Sequence, residues 1–73
     1  MYKIIGIEKI TKKNGDIFYG VSVTSPILAN GSGDKAEWLF VLPNAMDMTL
    51  KIGDKVHVLR NSQGYVQGFL KAQ

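Results

Sequence analysis

The run Lys12-Lys13-Asn14-Gly15-Asp16 sits between two stretches rich in β-branched residues, and this arrangement constrains the fold more than any other feature of the chain. Asn-Gly tolerates positive φ and supplies the commonest chemistry of a tight hairpin turn. Ahead of it, Tyr2 to Thr11 is rich in isoleucine and has no helix cap before it. β-Branched side chains lose rotamer freedom in a helix and pack well on a pleated sheet, so this stretch reads as a strand. Gly6 inside it marks a bend or bulge. Ile17 to Thr24 reads as the second strand. Its two-residue period puts Ile17, Tyr19, Val21 and Val23 on one face, and Phe18, Gly20, Ser22 and Thr24 on the other.

Three more strands follow. Ser25-Pro26 ends the second, and Asn30-Gly31-Ser32-Gly33-Asp34-Lys35 forms a polar, glycine-rich loop. Ala36 to Leu42 is the third strand, and Trp38-Leu39-Phe40-Val41-Leu42 is apolar on both faces. Pro43 stops it. Asn44 is placed to cap a short helical turn over 44–50, with Asp47 near its positive end and Ala45, Met46, Met48 and Leu50 plugging one end of a barrel. Gly53-Asp54 turns the chain into Lys55 to Arg60, Asn61 to Gly64 turns it again, and Tyr65 to Lys71 closes the series. In that last strand Val66, Gly68 and Leu70 are expected on one face, with Tyr65, Gln67, Phe69 and Lys71 on the other. The expectation is one all-β domain over 1–73. It is a five-stranded antiparallel sheet, strongly curved into a small barrel.

Size restricts how such a domain is stabilised. At 73 residues it buries about 60% of its unfolded surface. There is no cysteine to cross-link it, and His57 is the single histidine, so neither disulfides nor a metal cluster can help. Oligomerisation is the remaining common aid. A strand buried on both faces belongs in a parallel sheet, but this chain is too short for crossover helices. Trp38, Phe40 and Leu42 therefore read either as the contact of a homodimer or as core filling in a coiled sheet.

Catalysis has little behind it. The acids are scattered, with Asp16, Asp34 and Asp54 at turns, and His57 lies between valines with no acid or serine beside it. No enzyme activity, cofactor or metal is expected. The first ten residues are too short and too charged for a signal peptide or a membrane span. A chain without cysteine fits the cytoplasm, and no membrane partner is expected.

Nucleic-acid binding is better founded. Nine Lys and Arg against six Asp and Glu give a mild net charge of +3. Single strands are held by aromatic platforms beside positive charge. Phe18, Tyr65 and Phe69 fall on outward phases, with Lys12, Lys13 and Arg60 near the strand ends and Gln67 able to hydrogen-bond. A one-residue error of phase would move every side chain across the sheet and expose Tyr19 in place of Phe18.

The order of elements resembles the small OB-fold single-stranded DNA-binding proteins, including the helix-destabilising proteins of filamentous phages. The comparable stretches are Lys13-Asn14-Gly15-Asp16-Ile17-Phe18-Tyr19 and Leu50-Lys51-Ile52-Gly53-Asp54-Lys55-Val56-His57-Val58. The resemblance implies a dimer that stacks bases on Phe18 or Tyr19, Tyr65 and Phe69, with phosphates on Lys12, Lys13 and Arg60. The expected partner is single-stranded nucleic acid, DNA before RNA. The alternative expectation is an SH3-like protein-interaction or assembly module, such as a subunit of a phage or plasmid machine.

Overall fold

The structure, a computed structural model, describes residues 1–72. Five strands run β1 (Tyr2–Thr11), β2 (Ile17–Pro26), β3 (Asp34–Val41), β4 (Lys55–Arg60) and β5 (Val66–Lys71). They form one antiparallel sheet in the order β3-β2-β1-β4-β5. No ladder joins the edge strands β3 and β5 among the described residues, although the two come into contact.

The Asn-Gly signal does make the first hairpin, but through a different turn from the tightest one. Gly15 adopts a φ of 92°, whereas Asn14 keeps a negative φ. Gly15 N–H donates to Lys12 C=O, and Lys12 N–H donates to Asp16 C=O. That is a turn followed by a left-handed glycine, the three-residue hairpin loop. Asn14 tightens it by accepting from Asp16 N–H and donating to the Asp16 carboxylate. The β4–β5 hairpin repeats the pattern, with Gly64 at φ 87° and the Asn61 side chain accepting from the N–H groups of Gln63 and Tyr65.

β1 is the central strand. It pairs with β2 along its length and with β4 only at Tyr2 and Lys3. The expected irregularity near Gly6 is a register shift between Ile4 and Gly6, which leaves Ile5 unpaired opposite β2. The second strand has the expected phase: Val21 and Val23 are fully buried, as are Ile4, Val41 and Val56, and Leu39, Leu50, Val66 and Phe69 complete the buried core.

Two expectations need correction here. First, β5 does not keep one phase. Leu59 faces Gly68 but Arg60 faces Val66, so Gln67 is an extra residue. A bulge of this kind reverses the alternation, and Val66 and Phe69 both turn inward while Leu70 turns out. Second, residues 44–50 contain no helix. Ala45 and Met46 N–H groups both donate to Leu42 C=O, and Leu50 N–H donates to Asp47 C=O, which makes a run of turns. Asp47 spends its carboxylate on the N–H and hydroxyl of Thr49 two residues on, a local bond that competes with helical winding. Ala45, Met46 and Leu50 still pack on the core, but Met48 is 72% exposed and plugs nothing.

Candidate nucleic-acid interface

The outer face of β1, β2 and β3 carries three aromatic rings, Phe18, Trp38 and Phe40. Cross-strand register pairs Ser22 with Trp38 and Gly20 with Phe40, and it pairs Gly20 with Glu8 on the other side. Gly20 thus forms a gap in the middle of three strands. The indole of Trp38 leans diagonally into that gap. A Cβ built on Gly20 would fall 2.4 Å from Trp38 Nε1 and 2.5 Å from Cζ2. No side chain larger than hydrogen fits beneath the ring. At the far side of the gap Trp38 Nε1–H donates to Glu8 Oε1 at 2.9 Å. The ring is held along one edge and from below, yet 47% of the residue stays exposed.

Phe40 leans in the same diagonal sense and meets Phe18, with ring centroids 4.7 Å apart and planes inclined by 39°. Such diagonal neighbours lie within reach of aromatic side chains on one sheet face. Lys12 Nζ stands 5.5 Å from the Phe18 centroid, a cation–π contact worth about 0.5–1 kcal/mol at an exposed site. Leu42 and Pro43 continue the surface from Phe18 and Phe40. Beyond Leu42 a depression of about 320 Å³ is lined by Phe40, Leu42, Asn44, Ala45, Tyr65, Val66 and Gln67. Tyr65 at its rim is 63% exposed. A continuous strip therefore runs from the β1–β2 turn, across β3, to the start of β5.

The sequence-derived candidates divide accordingly. Phe18, Lys12, Tyr65 and Gln67 lie on or beside this strip, and Lys13 is exposed in the turn that carries Lys12. Phe69 does not join them. It is 8% exposed and belongs to the core, because the Gln67 bulge turns it inward. Tyr19 is half-buried against the core on the opposite face. Arg60 is engaged elsewhere: Nη2 donates to Glu37 Oε2 at 3.0 Å, and Nη1 donates to Gly64 C=O. The Glu37 carboxylate, followed by Tyr2, holds the guanidinium pKa above its ordinary value. This exposed ion pair ties β4 to β3 and contributes about 1 kcal/mol or less.

The sequence pattern points to Trp38 and Phe40 as dimer or core residues; the structure places them beside Phe18 on the outer face. The signal for the surface was present in Gly20, a glycine in mid-strand, which often marks the close approach of another group. Which group approaches depends on the β2–β3 register, and a loop of uncertain closure hides that register.

Among the described residues no cluster of His, Cys, Asp and Glu is arranged to hold a metal ion. Nor do the described residues form a helix long and apolar enough to cross a membrane. Compared with protein-family models, curated proteins and solved structures, the chain has no match.

Proposed function

We propose that this protein binds single-stranded nucleic acid on the outer face of β1–β3, stacking bases on Trp38, Phe40 and Phe18. The observation that carries the reading is the Gly20 gap. An indole laid over a glycine and fixed at its Nε1 presents its remaining π face to solvent, and a base of any identity can stack on such a face. Lys12 and Lys13 supply positive charge at one end of the strip, and Tyr65 supplies a further ring at the other.

Strand order supports an OB-like rather than an SH3-like reading. OB folds bind oligonucleotides on the face of their second and third strands and on the loops joining strands one to two and four to five. Here those positions hold Phe18, Trp38 and Phe40, the Lys12–Asp16 turn, and the Asn61–Tyr65 turn. In this reading the contact between β3 and β5 is the seam of a partly open barrel.

The test uses Trp38, the chain's single tryptophan, as reporter. An oligothymidine should quench its fluorescence, and Phe40→Ala should weaken binding about 5- to 150-fold, the range for one lost base stack. Lack of any quenching or binding at low salt removes the proposal.

A second reading rests on Leu42, which is 51% exposed and extends the same surface without a ring. In this reading a second copy of the chain covers β3 there. Solution mass separates the two: a monomer at micromolar concentration that binds oligonucleotide supports the first, and a dimer whose assembly quenches Trp38 and excludes oligonucleotide supports the second.

A further inference from the structure

Glu8 is the feature of the aromatic strip that stacking leaves unexplained. A carboxylate beside a phosphate-binding surface repels the ligand, yet here it stands at the centre, level with the Trp38 indole. It accepts from Trp38 Nε1–H through Oε1, and Oε2 has no hydrogen-bond partner among the described residues. The residue is exposed, and among the described residues no cation pairs with it. The residue paired with Trp38 across the β2–β3 ladder is Ser22, whose hydroxyl can both donate and accept and so cannot discriminate.

We infer that Glu8 reads the edge of the base stacked on Trp38 and selects guanine over thymine or uracil. This rests on the stacking reading above. An ionised carboxylate is an acceptor only. The Watson–Crick edge of guanine offers two adjacent donors, N1–H and N2–H. Oε1 stays with the indole N–H near the plane of that ring, so Oε2 is the oxygen that reaches a base stacked above it and accepts from those donors. Thymine and uracil offer one donor flanked by two carbonyl oxygens, and those oxygens face the negative charge. Cytosine and adenine, with one amino group each, fall between. The site thus combines a sequence-tolerant platform with a filter at one base position, and the filter gives the negative charge a use.

The experiment is a competition titration, read by anisotropy of a labelled oligonucleotide so that base-dependent quenching does not interfere. Two competitors are compared: a short oligothymidine, and the same oligomer with one central guanine. The wild type should prefer the guanine oligomer by about fivefold or more. Glu8→Gln keeps an oxygen for Trp38 but removes the charge and one acceptor. It should bind oligothymidine more tightly than the wild type and lose the guanine preference. These opposite changes would not arise from a residue that only positions Trp38. Equal binding of both oligomers by the wild type, with affinity intact, overturns the role of Glu8 and leaves the stacking surface standing. No binding of either oligomer at low salt overturns both.

Discussion

Gly20→Ala should separate folding from binding. The added Cβ would lie 2.4–2.6 Å from three atoms of the Trp38 indole, closer than real Cβ contacts come, so the ring must leave the strand. Trp38 is at the surface and can swing outward, which keeps the backbone in place. The stability terms oppose one another. Loss of the Nε1–H to Glu8 bond costs about 0.5–1.5 kcal/mol, at the low end for an exposed pair. Replacing glycine by alanine inside a strand returns about 0.5–1 kcal/mol through reduced chain entropy. The net change is about 1 kcal/mol or less, a Tm shift of no more than about 4–8 °C for a domain of this length. Binding has no such compensation. Removing one stacking platform costs about 1–3 kcal/mol, so affinity for oligothymidine should fall about 5- to 150-fold. Thermal denaturation, the Trp38 emission maximum and oligonucleotide titration together test this. The variant should melt near the wild type, emit at longer wavelength and bind poorly. Unchanged emission with unchanged affinity would show that the indole does not lie on Gly20, and the argument from the gap would fail.

Other consequences are more local. Phe69→Ala empties a core position and should cost about 3–5 kcal/mol, enough to unfold much of a small domain, seen as loss of cooperative melting. Any loss of binding by that variant would therefore report folding; Phe69→Leu should retain both. Lys12→Gln and Lys13→Gln should each reduce the slope of log affinity against log salt by about 0.7 if each lysine neutralises one phosphate. The hydroxyl and then the backbone N–H of Thr49 hold the Asp47 carboxyl below its usual pKa. A depressed folded-state pKa stabilises the protein above the unfolded value, and that contribution disappears as pH falls through the folded value. Acid melting below about pH 4 should thus be shallower in Thr49→Val than in the wild type.

The parts of the fold that local chemistry governs were legible in the residues. Asn14-Gly15 and Asn61 to Gly64 announce both short hairpins, and the alternation from Ile17 to Val23 gives the right buried face. Two of the errors depend on which strands lie side by side, and one on a local competition for the backbone. The bulge at Gln67 reverses β5 without any glycine or proline at that residue to signal it, so Phe69 passes from apparent stacking ring to core residue. The run from Asn44 to Leu50 has cap-like residues, but the Asp47–Thr49 bonds satisfy the backbone locally and no helix forms. The aromatic surface needs Gly20 beside Trp38 and Phe40 beside Phe18, a juxtaposition that the β2–β3 register creates after a glycine-rich loop. Periodicity within either strand cannot reveal it.

The most direct test follows the indole N–H resonance of Trp38 in an amide correlation spectrum during titration with a short oligothymidine at low salt. Binding on the outer sheet face should shift that single resonance progressively, together with the amides of Phe18, Phe40 and Lys12, while those of Val56 and Phe69 stay in place. A spectrum that does not change, or changes clustered on β4 and β5 with Trp38 unmoved, would contradict a base-stacking role for this face.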